Sequence, residues 1–291
     1  MLKNLLVPLT GFENDRSALE AAFVMGFPFD ANIEALHVQP EPMEIVLAAA
    51  KRQFGSKMSN KELVLSLKHE AASRTQLAKA AFEQFFQRHF SAPAFGSSAS
   101  GVTTSWRQME GNPVQDTVAE ARYSDLVVLA RAPEHGQFSP DSVAHILVGC
   151  GRPVLLVPEA ELDAIGSTVA IAWKEKAEAA RAVTAAMPLL KRAKKVVILT
   201  VDEEGSDTTR STRSAQRLAG QLARHGLAAE GHGLAAEPQG AAAALVRKGK
   251  ELGANLLVLG AYSHSRVREL VFGGFTRTVL KNCDLPLLLL H

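Results

Sequence analysis

The sequence predicts an α/β protein of two tandem, doubly wound domains, each a five-stranded parallel sheet, in a pseudo-two-fold arrangement. Three observations carry this. The order of patterns along the 291 residues repeats once. The strand-like segments are short, continuous apolar runs, as in parallel sheets covered on both faces. Between them lie Ala-rich or amphipathic segments with helical spacing.

The first half opens on Asn4-Leu-Leu-Val-Pro-Leu, breaks at Thr10-Gly11 and continues into the helical stretch DRSALEAAFVMG. Its counterpart is Thr168-Val-Ala-Ile-Ala-Trp-Lys-Glu, followed by KAEAARAVTAAMPLL. Next, IEALHV (33–38) matches VVILTV (196–201), and both then turn acidic. SDLVVLAR (124–131) matches ANLLVLGA (254–261), and HILVGCGRPVLLVP (145–158) matches TVLKNCDLPLLLLH (278–291). Right-handed crossovers join such strands into doubly wound sheets. The polar stretch after Pro158 sets the expected domains at 1–160 and 165–291.

The halves differ in one place. The first carries an insertion over 43–90 with two helical patterns, IVLAAAKRQF and KELVLSLKHEAASRTQLAKAAFEQFFQRHF. Leu63, Leu67, Ala71, Leu77, Phe82, Phe85 and Phe86 recur there at near-helical spacing, so the insertion is expected to pack over the first half. SAPAFGSSASG (91–101) reads as a connector. The matched runs 154–157 and 287–290 are apolar and Pro-led. An apolar edge needs cover, so the two are expected to pair, making one chain the counterpart of a homodimer.

Composition bounds the function. Hydrophobic residues make up 47%, charged residues 21%, and mean hydropathy is +0.03, as in globular proteins with ample cores. Lys and Arg number 32 against 30 Asp and Glu, a near balance that argues against a dedicated nucleic-acid binder. Two cysteines give no disulfide framework, which points to a reducing, cytoplasmic setting. The apolar run LPLLLL is far short of the ~18 residues of a membrane span, so no membrane partner is expected.

The segment LGAYSHSRVRELVFGGFTRTVL (259–280) is the candidate site. Gly260 ends a strand, and Gly273 and Gly274 precede a helical pattern. Unpaired N–H groups at a helix start can hold a phosphate, and Arg266, Arg268 and Arg277 add positive charge. The plain alternative is two turns that need glycine. GHGLAA (231–236) fits a loose dinucleotide pattern but belongs better to a strand or turn. Nine histidines show no zinc spacing, so no metal is expected. Ser263 and His264 are adjacent, and neighbours on a loop rarely face each other as nucleophile and base. Cys150 and Cys283 hold matched places and read as buried, inert thiols. Trp173 reads as a packing residue.

Taken with the two repeats, this segment resembles the nucleotide loop of the universal stress protein family, and the chain resembles a tandem member of it. The resemblance implies the fold of adenine nucleotide alpha hydrolases and a non-catalytic role in stress response. Nucleotide-binding members carry Gly, two residues, Gly, nine residues, then Gly and Ser or Thr. Here these positions hold Gly260, Ser263, Gly273 and Gly274, with a hydroxyl following at Thr276. The implied phosphate ligands are the backbone at Gly260 and Ser263, the N–H groups of Gly273, Gly274 and Phe275, and the Thr276 hydroxyl, assisted by Arg266 or Arg277. The implied cofactor is ATP or another nucleotide. Binding members read adenine with an Asp after the first strand, where this chain has Thr10 and Lys174. The first half lacks the loop glycine after Leu129 and is expected to be empty of nucleotide. The alternatives are a ligand-free scaffold for a protein partner, as monomer or homodimer, and a nucleotide hydrolase.

Overall fold

The computed structural model describes residues 1–53, 59–90, 101–131, 138–160, 162, 164–202, 208–261 and 274–291, with the backbone alone at 51–53, 274, 277, 281 and 282. The connector expected over 91–101 lies outside the described residues except at Gly101. Packing divides the chain into two compact units, Leu2–Ile146 and Leu147–His291.

The N-terminal unit runs β1 (Asn4–Leu9), α1 (Asp15–Gly26), β2 (Asn32–Pro40), α2 (Pro42–Gln53), α3 (Asn60–Phe90), β3 (Thr103–Gly111), α4 (Pro113–Ala121) and β4 (Leu126–Ala130). Its strands lie in the order β3-β2-β1-β4, all parallel. β4 is buried along its whole length and β1 from Leu5 onward, so their apolar runs have no polar face. β3 is outermost and alternates exposed with half-buried residues, which is why TTSWRQMEG does not read as an apolar run. Helix α4 starts where Asn112 accepts from the amides of Val114 (3.2 Å) and Gln115 (3.0 Å), with Pro113 in the first turn. The insertion forms two helices, α2 and α3. Helix α3 packs on α1, α2 and β2, burying Leu63, Ala71, Ala78 and Phe85.

Helix α5 (Pro140–Cys150) carries the division between the units. The C-terminal unit continues with β5 (Val154–Val157), β6 (Thr168–Ala172), α6 (Ala177–Leu190), β7 (Lys195–Asp202), α7 (Thr209–Ala223), β8 (Glu230–Ala235), α8 (Ala241–Glu251), β9 (Leu256–Gly260), α9 (Gly274–Asn282) and β10 (Leu287–Leu290). The strand order is β5-β10-β9-β6-β7-β8. All neighbours run parallel except β5 and β10, which pair antiparallel with Leu287 opposite Leu156, Leu288 opposite Leu155 and Leu289 opposite Val154. The two Pro-led runs therefore do pair. By packing, the strands divide four and six: β5, the last run of the first sequence repeat, sits with the second unit, where β10 covers its apolar edge.

Leu288 is 2% exposed and lies between β5 and β9. Leu288→Lys should lower stability by several kcal/mol, because it buries an ammonium with no partner. Urea unfolding checks this, and a loss under about 1 kcal/mol would show that the β5–β10 pair is not a buried seam.

Candidate functional site

In both units the strand order reverses beside the first strand, between β1 and β4 and between β6 and β9. Doubly wound sheets open a crevice there, at the C-terminal strand ends. The two units treat this place differently.

In the N-terminal unit Asp15 and α3 cover the ends of β1 and β2, and a crevice of about 370 Å³ remains beside the β1–α1 loop, between α1 and α3. The Asp15 carboxylate turns back on the β1–α1 loop and accepts from the Thr10 amide (2.9 Å), the Thr10 hydroxyl (2.9 Å) and the Gly11 amide (2.7 Å). Burial pushes the Asp15 carboxyl up to about 6, against the opposing pull of these hydrogen bonds and of the Arg74 charge. Gly11 sits at φ +76°, and a Cβ there would run into the Arg74 backbone, so α3 lies directly on the loop. The Arg74 guanidinium stacks 3.6 Å from the centre of the Phe12 ring. At the end of β2, His37 is buried and bonded on both nitrogens. Nδ1 donates to the Leu9 carbonyl (2.8 Å), which leaves Nε2 to accept from the Thr75 hydroxyl of α3 (3.0 Å). Burial holds the His37 pKa below its usual value.

In the C-terminal unit the open place among the described residues lies on the β7 side of β6, away from the reversal at β9. A crevice of about 460 Å³ lies at the ends of β6 and β7 against α7. Its cations are Lys174 and Lys176 from the loop after β6 and Arg210, Arg213 and Arg217 from α7. Thr200, the counterpart of His37, is 8% exposed, and its buried Oγ1 has no hydrogen-bond partner among the described residues. The Trp173 indole N–H donates to Ser214 Oγ (3.1 Å), and that hydroxyl donates to the Glu175 carboxylate (3.0 Å). Trp173 thus stands behind the crevice wall, hydrogen-bonded to Ser214, which lines it. The spacing of Arg210, Arg213 and Arg217 was visible in TRSTRSAQR as one helix face; what the sequence does not mark is that this face looks onto β7.

The residues read from the glycine-led segment are placed only in part. Ser263, Arg266 and Gly273 lie outside the described residues. Gly274, Phe275, Thr276 and Arg277 form the first turn of α9; Thr276 is buried, and Phe275 lines a shallow groove beside the start of α8. A Cβ on Gly260 would collide with the backbone of Glu178 and Ala179, in the first turn of α6. Close helix packing is therefore a sufficient reason for glycine at this strand end. Gly231 and Gly233 have the same role on β8, where a Cβ would meet the backbone of α7. GHGLAA is a strand, as its sequence context suggested. Cys150 and Cys283 are both free and buried. Among the described residues, no group of three or more His, Cys, Asp and Glu is placed to hold a metal, and no helix is long and apolar enough to cross a membrane.

Comparison with known proteins gives the class. Residues 167–291 match the universal stress protein family, so the C-terminal unit carries a domain of that class. No curated protein matches the chain. Among solved structures, a universal stress protein from Archaeoglobus fulgidus is similar over 99% of this chain and 97% of its own, at 15% identity and a TM-score of 0.70. A functionally unknown protein from Pseudomonas aeruginosa covers 99% of this chain and 92% of its own, at 14% identity and a TM-score of 0.57. A putative universal stress protein from another Pseudomonas aeruginosa strain covers 99% and 93%, at 15% identity and a TM-score of 0.56. At these identities the likeness is one of fold, and it spans both sequence repeats.

The raised Asp15 pKa sets a pH dependence. Protonation is favoured by the fold, so this carboxyl stabilises fully below pH about 4 and ceases to do so as pH rises through about 6. Asp15→Asn should flatten the stability profile between those values. It should also cost about 1–2 kcal/mol throughout, since one amide loses its acceptor. Urea midpoints across pH 4–7 check both effects; an unchanged slope would mean that Asp15 titrates as an ordinary surface carboxylate.

Proposed function

We propose that the chain is a tandem universal stress protein, with domains over 1–160 and 165–291. It acts without catalysis in a cytoplasmic stress response and holds the phosphates of a nucleotide, ATP or another, in its C-terminal domain. The observation that carries this reading is the contrast between the two sets of strand ends. The chain's own Asp15 and α3 cover the ends of β1 and β2, while among the described residues the ends of β6 and β7 stay open, in the half that matches the family. The phosphates fall to the backbone amides of Gly273, Gly274 and Phe275 and the Thr276 hydroxyl, with Arg266 or Arg277 assisting. Base selectivity is weak, because Lys174 stands where binding relatives read adenine with a carboxylate.

A scaffold role for the N-terminal unit is a second reading with its own support. Val46 and Leu47 of α2 and Leu65, Leu77 and Phe86 of α3 are exposed apolar side chains on the inserted helices, a surface suited to a protein partner.

Titration calorimetry with ATP, ADP and GTP tests the nucleotide reading. All three should bind with similar, modest affinity. Gly274→Val should abolish that binding, because its branched Cβ enters the phosphate's path, while the circular dichroism spectrum stays unchanged. No heat from any nucleotide with the unmodified protein would leave the scaffold reading standing.

A further inference from the structure

We propose that the crevice at the ends of β6 and β7 is itself a binding site for a small polyphosphate, held by the side-chain cations of its own lining. It goes beyond the nucleotide reading and does not rest on it, since neither Gly274 nor α9 takes part. The juxtaposition behind it is specific: three arginines on one face of α7, two lysines on the loop facing them, and an unsatisfied threonine hydroxyl on the wall between.

Charge comes first. Among the described residues, the crevice lining carries Lys174, Lys176, Arg210, Arg213 and Arg217 and two carboxylates, Glu175 and Asp202. One of those carboxylates is held in place by the Trp173–Ser214–Glu175 chain of hydrogen bonds. The cations are also arranged against the helix's own interest. Arg210, Arg213 and Arg217 stand three and four residues apart, where like charges repel. Arg210 and Arg213 lie in the first turns of α7, at the positive end of its dipole, and that first turn has no acidic residue. An anion in the crevice relieves both penalties at once, and nothing about the sheet requires this charge pattern.

The second observation is independent of charge. Thr200 is nine-tenths buried, lines the crevice and leaves its hydroxyl oxygen without a partner among the described residues. In the N-terminal unit the matched residue, His37, is bonded on both nitrogens, one of them to α3. A buried hydroxyl left unpaired is costly, and a phosphate oxygen is an acceptor it can serve. A volume near 460 Å³ suits a compact ligand with two or three linked phosphates. The shared chemistry is a run of phosphates, supplied by an inorganic polyphosphate or by the tail of a nucleotide.

The test is calorimetry with inorganic tripolyphosphate at about 50 mM salt, where screening is weak. The unmodified protein should bind one equivalent. Arg213→Gln with Arg217→Gln should weaken binding about tenfold or more, as expected for loss of charge-assisted hydrogen bonds. Thr200→Val, close in shape, should weaken it several-fold while raising the melting temperature of the unliganded protein, since the unpaired hydroxyl is gone. Gly274→Val should bind tripolyphosphate as the unmodified protein does, and this separates the proposal from the nucleotide reading. ATP should displace tripolyphosphate; whichever of the two binds more tightly identifies the source of the phosphates. The proposal is overturned if tripolyphosphate gives no heat. Unchanged affinity in the double variant, or loss of tripolyphosphate binding in Gly274→Val, would overturn it equally.

Discussion

A doubly wound sheet ends its strands in a row of amides and hydroxyls that need partners, and the rest of this protein follows from how that need is met. In the N-terminal unit the chain supplies the partners itself. Asp15 accepts from the Thr10 and Gly11 amides, and His37 is tied to both Leu9 and Thr75. In the C-terminal unit Lys174 stands where Thr10 stands, and Thr200 where His37 stands. The Thr200 hydroxyl has no partner among the described residues, and a crevice remains beside it.

The insertion explains the asymmetry. Helix α3 is long enough, at 31 residues, to run from the α1 face across the end of β2. Its fit demands a left-handed glycine at position 11, because the Arg74 backbone lies where a side chain would be. Once α3 is seated, its Thr75 becomes the partner of His37, and burial keeps that imidazole neutral. The price of the seal is the Asp15 carboxyl, held in a site that disfavours its charge. The helix in the matching position of the second repeat, α7, has 15 residues and presents cations there.

Local patterns made much of the fold legible. The apolar runs of β1, β4, β6 and β9 and the Pro-led pair β5 and β10 follow from runs that only a covered sheet accommodates. β3 and β8 were harder to see, because a strand at the end of the sheet order alternates or exposes its residues. The site was legible only in outline. Gly260 marks a strand end, yet the contact that requires glycine there is with α6, some 80 positions earlier in the chain. Thr200 looks like any strand residue until its hydroxyl is found buried without a partner. That Arg210, Arg213 and Arg217 line one crevice emerges only when α7 is laid along β7 and β8. Such facts depend on which distant elements meet, and a local pattern does not encode that.

The chain's two tryptophans allow the central claim, that ligand binding belongs to the C-terminal strand ends alone, to be read directly. Trp173 donates to Ser214 on the crevice wall, whereas Trp106 of β3 stacks on His37 and lies tilted against Phe82 in the N-terminal unit. Each gives one indole N–H resonance, assignable by Trp106→Phe. Titration with ATP or tripolyphosphate should move the Trp173 resonance progressively to saturation and leave the Trp106 resonance in place. A shift confined to Trp106, or no shift in either at saturating ligand, would contradict the account.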